Sequence, residues 1–234
     1  MKIHRIALSF ALLSVALLGM SGLGVRAGWW PFSVGFQLLG GVVGAGMVAM
    51  GCALIGLAVP RWRAGAFAPL LLSIMLGAGA AWFPLYMAQR ANVLPRIHDI
   101  STDLTHPPAF VAVLPLRANA ANPALYGGAE VAAMQRLGYP DIQPLMLAVA
   151  PAEAYARALA AAHAMGWQIV AFDPASGRIE ATATTFWFGF KDDVVVRITP
   201  AEGASRVDVR SVSRVGKSDV GANAARIRAY FARF

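Results

Sequence analysis

The stretch Val34–Ala88 decides the fold. It consists of two apolar runs, VGFQLLGGVVGAGMVAMGCALIGLAV at residues 34–59 and AFAPLLLSIMLGAGAAWFPLYMA at residues 66–88, with Pro60-Arg61-Trp62-Arg63 between them. Neither run contains Asp, Glu, Lys, Arg or His. A helix needs about 20 apolar residues to cross a hydrocarbon core of about 30 Å, and each run is longer than that. The sequence therefore predicts two transmembrane helices here, and Pro84 is expected to kink or end the second.

The first 27 residues offer two interpretations. They begin with basic side chains and continue with an apolar stretch, Ile6–Leu23. They are either a cleaved signal peptide, with Val25 and Ala27 at the small-residue cleavage positions, or a first transmembrane helix over about residues 6–25. The length of the apolar stretch favours the helix, because signal peptides have shorter apolar regions. Residues 1–88 are thus predicted to form a three-helix membrane anchor.

Basic residues near the predicted helix ends indicate the orientation. Short cytoplasmic flanks and loops are enriched in Lys and Arg. Lys2 and Arg5 precede the first helix, and Arg61 and Arg63 lie between the second and the third. This pattern predicts a multi-pass membrane protein with a cytoplasmic N-terminus and a C-terminal domain on the opposite side of the membrane.

Composition and charge exclude several classes of function. Of the 234 residues, 58% are hydrophobic, which is too high for an ordinary soluble domain and fits a protein that is partly in a membrane. The net charge of +8 arises mostly in residues 1–88, which hold five basic residues and no acid. Residues 89–234 hold 15 basic and 12 acidic residues, a net charge of only +3, so no nucleic-acid partner is predicted. The single cysteine, Cys52, excludes a disulfide framework.

Small residues recur at helical spacing in the second predicted helix. Gly41, Ala45, Ala49 and Ala53 form a stripe, beside a pair of glycines at positions 40 and 44. Small residues allow close approach of helix backbones in a membrane. The stripe is interpreted either as packing among the chain's own helices or as a dimer face.

The remainder of the chain reads as a linker followed by a folded domain. Residues 89–122 are rich in Pro, Asn and Thr with weak periodicity, and they are predicted to be a linker and extended segment. Residues 123–234 show the order strand–helix–four strands–helix, with the first strand at Ile142–Val149 and the last helix starting at Ser218 or Asp219. The predicted fold is an α+β domain, an antiparallel sheet with helices packed on one face.

Two stretches carry candidate chemistry, and the first is a potential metal site. Its four side chains, His98, Asp99, Asp103 and His106, are within nine residues of one another. Imidazole and carboxylate groups are suitable ligands for zinc or manganese. Asp and Thr before prolines are also ordinary turn formers, so a structural role for the stretch stays open.

The second stretch is a potential anion site at the start of the last helix. Free backbone N–H groups at a helix N-terminus bind anions, and hydroxyl and basic side chains cluster around this one. The candidate ligand-binding residues are Arg210, Ser213, Arg214, Lys217, Ser218, Asp219, Asn223 and Arg226. The alternative is a capped helix whose arginines pair with acids of the sheet such as Asp192, Asp193 or Asp208.

Five short motifs, some of them from these two stretches, follow one another along the chain. They are PRIHDISTD at residues 95–103, PPAF at 107–110, YPDI at 139–142, GW at 166–167 and RSVSRVGKSDVGAN at 210–223. Together they resemble the bacterial domain-of-unknown-function family numbered 1499, over about residues 94–234. The resemblance implies an envelope-associated domain, often fused to membrane helices, and it implies no activity. Together with the orientation above, it leads us to expect a multi-pass protein of a bacterial inner membrane with a periplasmic C-terminal domain.

Three functions follow from these observations. The first is an integral membrane protein whose extracytoplasmic domain binds an anionic envelope ligand or a membrane-protein partner. The second is a metal-dependent envelope hydrolase that uses His98, Asp99, Asp103 and His106. The third is a non-catalytic structural subunit of a membrane complex. No organic cofactor is predicted.

Overall fold

The computed structural model describes residues 2–234. The chain divides into two compact units. The helical unit contains the residues up to Asn92 and the short segment Phe186–Gly189. The α+β unit contains Val93–Thr185 and Phe190–Phe234.

The helical unit is built from α1 (Ile3–Arg26), α2 (Phe32–Ala58), the short α3 (Pro60–Arg63) and α4 (Phe67–Val93). Among residues 2–234, α1, α2 and α4 are long and apolar enough to cross a membrane. The prediction of three N-terminal apolar helices is confirmed. Of the two outcomes expected for Pro84, the end of the helix is wrong, because α4 continues through this proline to Val93. A proline removes one backbone hydrogen bond, and the turns on either side keep theirs.

Small residues pack the helices of this unit together. Ala45, Ala49 and Ala53 of the predicted stripe are buried inside the chain. A side chain at Gly46 would lie only 2.7 Å from the carbonyl oxygen of Gly77, so α2 and α4 approach closely there. Most of the stripe is therefore used for packing among the chain's own helices.

The α+β unit has a sheet in which every pairing is antiparallel. Within residues 2–234 its strands are β1 (Asp99–Ser101), β2 (Leu145–Leu147), β3 (Gln168–Asp173), β4 (Arg178–Thr184), β5 (Lys191–Ala201) and β6 (Ala204–Ser213). The order is β1-β6-β5-β4-β3, and β2 also pairs with β6, nearer to the start of β6 than β1 does.

One face of the sheet packs against helices and is called here the helix face. The helices of this unit are α5 (Gly128–Gly138), α6 (Pro151–Ala164) and α7 (Ala222–Phe231). Alternate strand residues such as Val196 and Val209 form one core with Ala158 of α6 and Tyr230 of α7, as period-two burial requires. The predicted α+β fold with helices on one face is confirmed.

The other face of the sheet is called here the second face, and residues 102–126, the covering segment, lie across it. Phe110 and Val113 of this segment pack with Val195 and Val212 of the sheet. The region predicted as a linker at residues 89–122 thus contains the end of α4, strand β1 and core side chains. Its weak periodicity reflects irregular backbone whose N–H and C=O groups bond to side chains of the sheet instead of to neighbouring strands.

Two predicted element boundaries also differ from the structure. The strand expected at Ile142–Val149 is only Leu145–Leu147, because Pro144 just before it has no N–H to donate to the ladder. The last helix begins at Ala222 rather than near Ser218. Gly221 precedes it at φ +83°, a conformation that glycine adopts without strain.

Candidate functional site

The predicted anion-binding residues separate onto the two faces of the sheet. Arg210 is on the second face with the residues that contact the covering segment, whereas Ser213 points to α7 on the helix face. Alternation along β6 causes this division, because neighbouring side chains in a strand point in opposite directions. The predicted residues therefore form two polar clusters.

Arg210 is part of a buried ion pair on the second face. It donates 2.9 Å and 2.7 Å hydrogen bonds to the two carboxylate oxygens of Asp99, and both side chains are at most 5% exposed. The guanidinium also donates to the carbonyl oxygens of Pro108 and Ala124 in the covering segment. Such a bidentate, fully hydrogen-bonded pair fixes β1, β6 and the covering segment together.

Arg214, four residues further along the chain, makes a similar contact. It donates to both oxygens of Asp193 at 2.9 Å and 2.8 Å, and to the carbonyl oxygen of Leu116 at 2.8 Å. Asp193 is shared, because Arg117 Nη1 lies 3.2 Å from it. Burial and the nearby Arg214 and Arg210 lower the pKa of Arg117, and Asp193 opposes this effect.

A second cluster, called here the polar junction, lies at the start of α7 and consists of Asp192, Ser211, Ser213, Asn223 and Arg226. The side-chain amide of Asn223 donates to Ser213 Oγ at 3.0 Å and to the carbonyl oxygen of His98 at 2.9 Å. Its oxygen accepts from Ser211 Oγ at 2.7 Å. Arg226 contacts Asp192, Ser211 and Asn223. Its charge is thereby neutralised by a carboxylate of the same domain.

The remaining predicted residues form the turn before α7. Asp219 accepts hydrogen bonds from the backbone N–H of Gly221 and of Asn223, both at 2.8 Å, and so occupies donors at the helix start. Burial raises the pKa of Asp219, these hydrogen bonds oppose the rise, and Asp192 adds to it. Ser218 Oγ accepts from the N–H of Val220 at 3.2 Å. Lys217 is exposed and is the member of the predicted set that faces solvent.

The two carboxylates predicted to hold a metal are engaged in separate ion pairs, whereas His98 and His106 enter these networks through backbone groups. Asp99 is paired with Arg210, and Asp103 contacts Arg197 and Arg206, each at 3.0 Å. Burial acts to raise the pKa of Asp103. The backbone N–H groups of His106 and Thr105 and the two arginines outweigh it, so the pKa is lowered. Within residues 2–234, no group of three or more His, Cys, Asp or Glu side chains is arranged to hold a metal ion.

Sequence reasoning named Asp208 as an arginine-pairing acid of the sheet but missed Glu180, and both carboxylates hold the covering segment. Glu180 is fully buried and accepts hydrogen bonds from the backbone N–H of Val111 and of Val113 at 3.0 Å. Asp208 pairs with Arg197 and Arg206. Charged residues at alternate strand positions usually indicate a solvent-facing side, and here the covering segment buries that side.

Residues 99–234, which contain both clusters and the whole covering segment, match the family described as a protein of unknown function, DUF1499. The chain belongs to the DUF1499 family. The resemblance seen in the sequence motifs is confirmed. No curated protein and no solved structure matches the chain.

The DUF1499 domain exposes apolar side chains on its covering segment. Val111 is 51% exposed, Leu114 44%, Leu116 54% and Leu125 83%, and these four residues are called here the apolar patch. Their neighbours in the sequence point the other way, since Phe110, Val113 and Ala124 pack on the sheet. The covering segment thus presents large hydrophobic side chains outward while its polar groups are bonded inward.

Proposed function

We propose that this DUF1499 protein is a multi-pass protein of the bacterial inner membrane whose domain lies in the periplasm and binds another envelope protein. The domain acts as a non-catalytic binding module, and the apolar patch is its binding surface. The observation that carries this proposal is the exposure of Val111, Leu114, Leu116 and Leu125 on a segment that is firmly held on the sheet.

The distribution of basic residues supports the orientation. Lys2 and Arg5 lie at the start of α1, and Arg61 and Arg63 lie in α3, between α2 and α4. If α1, α2 and α4 each cross the membrane, these four residues share one side, which the positive-inside rule makes cytoplasmic. The domain that follows α4 is then on the opposite side.

The rigidity of the covering segment supports a binding role. Glu180 accepts the N–H groups of Val111 and Val113, and Arg214 donates to the carbonyl oxygen of Leu116. A surface that is already ordered loses little conformational entropy when a partner binds. Large apolar side chains exposed on an ordered segment can supply the apolar contacts of an interaction site.

The ion pairs favour a protein partner over an anionic ligand. Arg210, Arg214 and Arg226 each have a carboxylate partner in the same domain, so an anion would have to displace it. Breaking such a buried pair leaves a charge uncompensated at a cost of about 3–5 kcal/mol. Lys217 with Ser218 is what remains of the predicted anion site.

Photo-crosslinking in native membranes tests the proposal. A photoreactive residue is placed at Leu114 in the full chain, and the matched control is placed at Leu137, a leucine on α5 that is 87% exposed. We expect one discrete protein adduct from position 114, lost in a Leu116→Glu background and absent from position 137. Equal labelling from both positions, or adducts with lipid alone, contradicts the proposal.

A further inference from the structure

Strand β3 (Gln168–Asp173) forms an outer edge of the sheet. It pairs with β4 on one side, and no other strand of residues 2–234 lies along its other side. Phe172 on this strand is 61% exposed. The outer edge of β3 therefore offers backbone hydrogen-bonding groups next to a large exposed aromatic side chain.

The sequence of β3 lacks most devices that protect an edge strand. Soluble proteins block such edges with proline, with lysine or with very short strands. The six residues QIVAFD contain neither proline nor lysine, and the strand is of ordinary length. Its one irregularity is a bulge between Ile169 and Ala171.

The bulge gives β3 a self-complementary pattern. Ile169 pairs with Ala181 and Phe172 with Ile179, so both belong to the helix face. Residues opposite each other in an antiparallel pair point to the same face. A second antiparallel β3 can therefore place its Phe172 opposite Ile169, and its Ile169 opposite Phe172, with both apolar pairs on the helix face. The same register sets Gln168 opposite Asp173 at each end.

We propose that two copies of this chain associate through antiparallel pairing of their β3 strands, with Ile169 of one copy opposite Phe172 of the other. The pairing is two-fold symmetric, so each copy contributes the same surface. It joins the two sheets edge to edge and removes Phe172 from solvent. This association uses a different surface from the apolar patch and does not depend on the partner proposed above.

Register-specific disulfide formation tests the pairing. Two differently tagged full-length chains, both with Cys52→Ala, are co-expressed in membranes, one with Ile169→Cys and the other with Phe172→Cys. We expect the mixed sample to form a disulfide-linked dimer of two 24.7 kDa chains. Each variant alone should not, because positions 169 of the two copies are offset by about three residues, or ~10 Å, beyond the reach of a disulfide.

The matched control separates pairing from random collision. It replaces Ile169→Cys by Ser176→Cys, which is exposed in the β3–β4 turn. Absence of the mixed disulfide, an equal yield with the Ser176 variant, or a β3 disulfide to a different protein overturns the proposal.

A mass measurement in lipid nanodiscs gives an independent readout. The native chain should have twice the mass of one chain, Phe172→Lys should have half that mass, and the control Leu137→Lys should match the native chain. A native monomer, a dimer that survives Phe172→Lys, or loss of the dimer in both variants contradicts the pairing.

Discussion

Arg210 of β6 and Asp99 of β1 form a bidentate ion pair, 2.9 Å and 2.7 Å long, between side chains that are almost fully buried. The pair lies under the covering segment, and Arg210 also donates to the carbonyl oxygens of Pro108 and Ala124 there. Arg210, one of the predicted anion-binding residues, is thus part of the internal structure of the DUF1499 domain.

Removing one partner of this pair should destabilise the domain severely. Asp99→Ala leaves a buried arginine without its carboxylate, which costs about 3–5 kcal/mol in the free energy of unfolding. The matched control is Asp141→Ala, since Asp141 pairs with Arg228 on the surface and such pairs contribute about 0–1 kcal/mol. Thermal unfolding of the full chain, followed by tryptophan fluorescence, measures both. Equal shifts in melting temperature for the two variants would contradict the structural role of Asp99.

The two arginines that share Asp193 should differ in importance. Arg117→Met leaves Asp193 with two hydrogen bonds from Arg214 and one from Thr182, so the carboxylate stays satisfied. Arg214→Met leaves it with the one hydrogen bond from Thr182 and beside Arg117 Nη1, which is 3.2 Å away and makes no well-directed hydrogen bond. We expect Arg214→Met to lower the free energy of unfolding by at least about 2 kcal/mol more than Arg117→Met. The reverse order of melting temperatures would show that Arg117 is the main partner of Asp193.

Asp219 should make stability depend on pH in a defined direction. Burial raises its pKa above the ordinary value of 3.8, so the folded chain binds this proton more tightly than the unfolded chain. The contribution of Asp219 to stability is then largest at low pH and falls as the pH rises from about 4 through the folded-state pKa. The melting temperature of the native chain, relative to Asp219→Asn, should therefore decrease from pH 4 towards pH 7.

Asp103 provides the control with the opposite sign. Its pKa is lowered, so its contribution is fully present above the ordinary value of 3.8 and is lost as the pH falls below it. The difference between the native chain and Asp103→Asn should be constant between about pH 5 and pH 7. If the melting temperature of the native chain, relative to that of Asp219→Asn, instead increases with rising pH, the inferred upward shift of the Asp219 pKa is wrong.

Gly22 of α1 should tolerate no side chain. An added Cβ would lie 1.6 Å from Trp187 Cδ1 and 2.0 Å from its Nε1, within the helical unit. Gly22→Ala should lower the melting temperature of the full chain, because overpacking costs about 1–3 kcal/mol. Gly19→Ala, where a Cβ meets nothing within 4 Å, should have no such effect. Restoration of stability by Trp187→Ala in the Gly22→Ala background would identify this contact as the cause.

The helical unit and the sheet follow from local patterns in the sequence. The apolar runs around Val42 and Leu70 predict helices without any tertiary information, and the alternation around Val196 and Val209 predicts strands. The fold of residues 102–126 could not be predicted in the same way. Phe110 and Val113 are buried because they meet Val195 and Val212, far away in the sequence.

The pairing of charges at the candidate site could not be predicted from local sequence patterns either. Asp192 and Asp193 are adjacent in the sequence, yet they bind Arg226 and Arg214 on opposite faces of the sheet. One interpretation of the sequence was that the arginines pair with acids of the sheet, and it named both carboxylates. Composition alone could not decide between this internal pairing and an anion site. The apolar patch gave no sequence signal, because exposed and buried apolar residues of an irregular segment look alike.

The most direct test of the account is the location of the DUF1499 domain. Two reporter enzymes are each fused, in separate bacterial strains, after Phe234 and within α3 at Trp62. Alkaline phosphatase is active only outside the cytoplasm, and β-galactosidase is active only inside it. The account predicts phosphatase activity at Phe234 and galactosidase activity at Trp62. Galactosidase activity at Phe234 would place the domain in the cytoplasm and contradict an envelope-binding function.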